Sequence, residues 1–248
     1  MSYDTRNFDN YVQQYLSLPF EPIQIEYRRQ LVLRQVQQLA PGRLLEVGCG
    51  VKPLFIDLPD DILITVVEPA HAFADRAEQL ACGRDHVKIL RGFMESVDLG
   101  TAGFDMIILS CVLHEVPDPL PMLGAIREYC SSATTLHVNV PNSRSLHRLW
   151  AVAMGLLPSQ NQQSATQRLM QQRATAYDSQ SLRAELVSSG FAVVDEGSFF
   201  VKPFSHAQMQ ALVDSGFMTR EMLDGLDRLA DLLPDLGSEI WANARRVE

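Results

Sequence analysis

The stretch Leu44 to Gly50, reading Leu-Leu-Glu-Val-Gly-Cys-Gly, constrains this 248-residue chain more than any other. An apolar run with strand propensity stops at two glycines one residue apart, the pattern by which a buried parallel strand passes into a tight turn and a helix. Gly48 and Gly50 carry no side chain, so the backbone can turn sharply and a ligand can lie against its N–H groups. A second apolar run, Ile62 to Val67, ends on Glu68, about 20 residues after Gly48, the separation at which a carboxylate meets ribose hydroxyls. Together they predict a nucleoside-binding edge with Glu68 as its ribose anchor. A NAD-type fingerprint fits less well, because the third glycine at the usual offset is absent.

Residues 8 to 39 read as helical in two pieces broken at Pro19 and Pro22, with Tyr11, Tyr15 and Leu18 and then Ile25, Leu31, Val32 and Val36 at helical spacing. The aromatic stripe Phe8, Tyr11, Tyr15, Phe20 and Tyr27 suits either packing on the core or a lid over the ligand edge. After the second strand come a helix over 72–82, a strand from Val87 to Leu90, a strand from Met106 to Leu109 ending at Ser110, a helix from Leu120 to Tyr129 and a strand from Thr134 to Val140. Such alternation predicts right-handed crossovers and a parallel sheet with its site at the strands' C-terminal ends. Beyond lies an insertion: an apolar helix from Leu146 to Leu157, then a glutamine-rich piece from Pro158 to Ala174 expected to be mobile. Asp178 caps a helix that ends at Gly190. Strand segments Phe191 to Val194 and Ser198 to Val201, helices Ser205 to Val213 and Glu221 to Leu233, and a strand Glu239 to Ala244 complete the chain.

Composition narrows the partners. A net charge of −9 argues against a nucleic-acid partner, and the basic pairs Arg28-Arg29 and Arg245-Arg246 are too small to reverse that. Cys49, Cys82, Cys111 and Cys130 show no paired spacing, which predicts reduced thiols, a cytoplasmic location and no metal site. The start of the chain lacks the basic and apolar pattern of a signal peptide, and the Leu146 to Leu157 run is too short to span a bilayer, so no membrane partner is expected.

Glu-Val-Gly-Cys-Gly at 46–50, Val-Glu-Pro at 67–69, and Phe-Asp-Met-Ile-Ile-Leu-Ser at 104–110 followed by Leu113-His114-Glu115-Val116 resemble, in that order, the motifs of the class I S-adenosylmethionine-dependent methyltransferases. The likeness covers roughly residues 30–200. It implies an α/β fold with a Rossmann-like, seven-stranded, mostly parallel sheet, helices on both faces and an antiparallel last strand. Residues 1–40 would form an N-terminal helical lid on a methyltransferase-like domain, 41–248, with a helical insertion at about 142–176. The implied cofactor is S-adenosylmethionine, and its contacts would come from Glu46, Gly48, Cys49, Gly50, Glu68, Pro69, Phe93, Met94, Glu95 and Ser110. Two departures stand out. Val51-Lys52-Pro53 replaces the small residue and third glycine usual after Gly50, and Phe93 stands where many members carry an acid for the adenine amine, leaving that contact to backbone, Met94 or Glu95.

Position in the resembling fold puts Ser110, His114 and Asn139 nearest the reaction, with His114 as a general base or a packed helix-start histidine. Asn139 interrupts an apolar strand end, where its amide needs a partner. Tyr177 and Ser205 begin helices that the fold would return to the pocket mouth, or else serve as a packed tyrosine and a cap. His137, His147 and His206 read as structural, and Glu46 as a brace for the turn or for the cofactor's amino-acid end. Three functions follow: methyl transfer to a small molecule held against the Leu146 to Leu157 helix with Trp150 and Met154; cyclisation of S-adenosylmethionine to azetidine-2-carboxylate with release of methylthioadenosine; or nucleoside binding without catalysis. A homodimer is compatible with the sequence.

Overall fold

The computed structural model describes residues 8–101, 103–163 and 176–247, with side chains from residue 12 onward. Two helices lead in: α1, Phe8–Ser17, and α2, Glu21–Leu39. The break falls at 18–20, where Phe20 takes φ 62°. Pro22 does not interrupt anything, because it sits in the first turn of α2, where a missing N–H costs no helical bond.

A seven-stranded sheet follows, in the order β3-β2-β1-β4-β5-β7-β6. The strands are β1 (Arg43–Val47), β2 (Leu63–Glu68), β3 (Val87–Arg91), β4 (Met106–Ser110), β5 (Thr135–Pro141), β6 (Phe191–Phe199) and β7 (Glu239–Arg246). The first five pair in parallel, and β7 lies antiparallel between β5 and β6. Helices α3 (His71–Ala81), α4 (Pro119–Glu128), α5 (Leu146–Ala153), α6 (Ser179–Ser188), α7 (His206–Asp214) and α8 (Arg220–Arg228) fill the connections. This is the Rossmann-like α/β class expected. The chain turns opposite ways from β1 and β4, so a crevice opens at their C-terminal ends, the topological switch point.

Burial explains why the central strands read as nearly continuous apolar runs. Leu45, Val47, Ile107 and Leu109 join one core layer with α4 and α6, while Leu44, Met106 and Ile108 join the other with α2. A third cluster packs Phe20, Tyr27 and Leu31 against Phe199, Phe200 and Met209, and so fixes α2 to the C-terminal helices.

Four local expectations need correction. No α-helix follows the glycine turn: Pro53 is extended (φ −53°, ψ 148°) and only a 3-10 turn, Leu54–Ile56, succeeds it. Helix α5 stops at Ala153 rather than Leu157, since Gly155 adopts φ 73°, the left-handed stop that glycine supplies at helix ends. β6 is one strand rather than two, with an irregularity between Val193 and Asp195 absorbing the polar break at the sheet's edge. The last helical stretch is α8 plus a 3-10 turn, Leu229–Asp231. From residue 164 to 174 the glutamine-rich piece lies outside the described residues, as do the side chains of Phe8 and Tyr11.

Candidate functional site

At the end of β1 the chain turns at Gly48 (φ 77°), whose amide still bonds across to Val67 O at 2.8 Å. The next two amides, expected to face a ligand, are instead taken by Glu68: its Oε2 accepts from Cys49 N at 2.9 Å and Gly50 N at 3.2 Å. Its Oε1 accepts from Ala70 N at 2.9 Å. Glu68 thus has a structural job at the end of its strand, stapling the turn of β1 to β2. Burial raises its pKa, and the three amides oppose that rise.

The two glycines are held for different reasons. A Cβ on Gly48 would lie 2.6 Å from Val112 Cγ2, whereas one on Gly50 (φ 54°) would meet nothing within 4 Å and would project into open space. That open cradle is what a nucleoside against the turn requires. Beneath it, Glu46 is buried and accepts from Leu54 N at 2.9 and 3.2 Å, which braces the segment after the turn. Burial pushes its pKa to about 8.

One cavity of about 850 Å³ begins at this edge. Glu46, Gly48, Cys49, Gly50, Glu68, Pro69, Phe93, Met94 and Ser110 all line it, and Glu95 does not. His114 lines it too, with Nε2 at 3.8 Å from Glu115 Oε1. The far wall is α5, the turn after it and the loop after β6: Trp150, Met154, Leu156 and Leu157, with Trp150 tilted against Phe204 at 5.4 Å between ring centres. Tyr15 closes over the near side, edge-on to Phe73 at 6.1 Å.

Two expected catalytic residues are not on that wall. Asn139 is fully buried, behind Ser110 in register, and its Nδ2 donates to Glu239 Oε2 at 3.0 Å and to Cys111 Sγ at 3.4 Å. Ser110 lines the cavity, whereas its register partner Asn139 is committed to the Glu239 carboxylate of β7. Tyr177 is 2% exposed, part of the main core, with its hydroxyl on Glu185 Oε2 at 3.1 Å. Ser205 does line the cavity, but its hydroxyl is committed to a capping box with Gln208 at the start of α7. His137 is core, bonded through Nδ1 to Asn243 at 2.8 Å.

Between the two halves of the cavity lies a charged group absent from the sequence reading. Arg28 holds Glu239 at 2.6 and 2.9 Å and reaches Glu21 at 3.2 Å. Gln24 adds bonds to Ser238 and Glu239, and Cys111, at φ 57°, points its thiol at the same carboxylate. His147, Lys202 and His206 also face the cavity, so the two histidines are not confined to the structural role expected. The one sequence signal was on α2, where Gln24, Arg28 and Gln35 share a face with buried Leu31 and so form a polar stripe turned inward. Among the described residues no group of three or more His, Cys, Asp or Glu side chains converges to hold a metal, and no helix is long and apolar enough to cross a membrane.

The order of strands and a nucleoside cradle at the switch point define a class of protein, and comparison with known families names it. Residues 24–196 match the model of the methyltransferase domain, and the chain belongs to that family, of the class I S-adenosylmethionine-dependent type; its cofactor is S-adenosylmethionine. Among solved structures it is similar to the N-methyltransferase NodS from Bradyrhizobium japonicum WM9 (14% identity, 92% of this chain and 98% of that one, TM-score 0.57). An S-adenosylmethionine dependent methyltransferase from Mesorhizobium loti is also similar (17%, 86% and 96%, 0.56). A third is the O-methyltransferase NcsB1 from neocarzinostatin biosynthesis, in complex with S-adenosylmethionine and 2-hydroxy-5-methyl naphthoic acid (15%, 88% and 56%, 0.50). Comparison with curated protein sequences gives no match.

Proposed function

We propose that this chain transfers the methyl group of S-adenosylmethionine to a small molecule held in the apolar half of the cavity. One observation carries the reading: the space that starts at Gly50 and Glu68 continues without a wall to Trp150 and Leu157. At about 850 Å³ the cavity is near the upper end of the roughly 300–1,000 Å³ of ligand pockets, and its lining reaches from the glycine turn to the Trp150 side, which supports an acceptor beside a nucleoside. Glu68 would hold a ribose hydroxyl on the Oε1 lone pair its three amide bonds leave free, Phe93 and Met94 would flank the adenine, and the Gly48 to Gly50 backbone, Cys49, Pro69, Ser110 and braced Glu46 would shape the rest.

Bound there, S-adenosylmethionine supplies a methyl carbon that is already activated. The protein's own task is then alignment and exclusion of water, which together supply up to about 7–11 kcal/mol of the barrier. α2 is a fixed wall, so we assign the lid role to α1 and the turn after it, through Tyr15 and Leu18 on the cavity wall. His114, on the cavity wall, would receive a proton from an acceptor that must lose one. Asn139 becomes a positioning residue acting through Glu239.

Cyclisation of S-adenosylmethionine comes second, because it would leave the Trp150 side of the cavity without an occupant; binding without chemistry ranks third. The purified protein incubated with S-adenosylmethionine, alone and with a panel of small acceptors, separates them by mass spectrometry. Methylated product and S-adenosylhomocysteine only when an acceptor is added support the proposal. Methylthioadenosine with a cyclic amino acid in the absence of acceptor overturns it.

A further inference from the structure

Lys202, three residues past β6, is 2% exposed and lines the cavity, yet no hydrogen bond or ion pair engages its ammonium among the described residues. The carboxylates nearest it are already engaged. Glu239 is held by Arg28, Gln24 and Asn139, and Glu21 by Arg28. Beside it, His147 Nδ1 is buried with no hydrogen-bond partner among the described residues. A buried amine without a partner is costly, and burial brings Lys202 down to about 7, with Arg28 pushing the same way and Glu21 and Glu239 opposing. His206, on α7, stays neutral, pressed down to about 3 by burial and by its cationic neighbours. His147, on α5, is lowered for the same reasons.

Arg28 alone already pairs with both carboxylates of the group, Glu21 and Glu239, so neither is left over for Lys202. The Trp150 and Phe204 rings close the same space on its apolar side.

Resting on the methyl-transfer reading, we propose that Lys202, flanked by His147, is the subsite for an acidic oxygen of an aromatic acceptor, a carboxylate or a phenolate. On binding, the acid's O–H bond breaks, its proton forms an N–H bond on Lys202 Nζ, and the oxyanion pairs with the resulting ammonium. A carboxylate arriving already ionised draws that proton from solvent instead. Lys202 thereby selects the acceptor by its acid group, and the rings select the body.

Calorimetry on the full chain, with and without S-adenosylhomocysteine, tests this with 4-phenylbenzoate, 4-phenylphenol and the neutral 4-phenylbenzamide. The expected result is carboxylate or phenol binding at least about tenfold tighter than the amide, lost in Lys202→Met and kept in Lys202→Arg, with affinity for S-adenosylhomocysteine unchanged in both variants. The two sources separate by proton count in buffers of different ionisation enthalpy: at pH 8 the carboxylate takes up about one proton per site, and the phenol close to none. Equal affinity for acid and amide, or undiminished acid binding in Lys202→Met, overturns the proposal and leaves methyl transfer standing. Failure of S-adenosylhomocysteine to bind the wild type overturns both.

Discussion

Arg28 and Glu239 meet as a two-pronged ion pair, with guanidinium nitrogens at 2.6 and 2.9 Å from the carboxylate oxygens although 211 residues separate them in the chain. Both are largely shielded from water, at 11% and 4% side-chain exposure. Removing one partner of such a pair strands a charge, which costs about 3–5 kcal/mol, while removing both into apolar residues is close to neutral. Arg28→Met should therefore lower the urea midpoint sharply, and Arg28→Met with Glu239→Met should restore most of it. Equal loss in the single and double variants would show that the pair is not coupled.

Glu68 joins two duties, and its loss should show in two measurements. Glu68→Ala leaves the Cys49, Gly50 and Ala70 amides without their acceptor and should cost about 2–4 kcal/mol of folding stability. The same change should weaken S-adenosylmethionine about tenfold or more by calorimetry. A stability loss with unchanged affinity would place the ribose elsewhere.

The glycines of the turn should separate in the opposite way. Gly48→Ala combines a left-handed backbone with the Val112 overlap and should cost about 2–4 kcal/mol. Gly50→Ala meets no atom and should cost only about 1–2 kcal/mol, yet its methyl enters the cradle and should weaken cofactor binding. Thermal melts and calorimetry on the pair check the contrast; cofactor affinity unaltered in Gly50→Ala would mean the ligand does not lie there.

His137 should write a pH dependence on stability. Full burial lowers its pKa from 6.5 to about 4, against a hydrogen bond to Asn243 that favours the charged form. The folded chain keeps it neutral where the unfolded chain protonates it, so its contribution is complete above about 6.5 and is lost as pH falls toward 4, to the extent of about 3 kcal/mol. Glu46, raised to about 8, works in the other sense between 4.5 and 8, so the effect is read as the difference in slope between wild type and His137→Gln in urea titrations from pH 4 to 7. Parallel slopes would remove His137 as the source.

Much of the fold was legible because the central strands run parallel and are buried on both faces, so they stand out as apolar runs and Gly48, Gly50 and Glu68 punctuate them. The cofactor edge is local in sequence, 46–50 and 68–70, and could be read. The acceptor side is not. Whether Asn139 faces the cavity depends on β7 arriving beside it, and whether Tyr177 is pocket or packed core depends on α6, so neither a strand end nor a helix start decides the role from sequence alone. Lys202 looks like any loop lysine until the packing of α2, α5 and α7 around it is known.

The antiparallel insertion of β7 between β5 and β6 carries a further consequence. Its first residue, Glu239, anchors the Arg28 group on the cavity wall, so the chamber depends on a long-range insertion where the glycine turn does not. The turn is tied together within residues 46–70, whereas the chamber is finished only once residues 239–246 lie between β5 and β6.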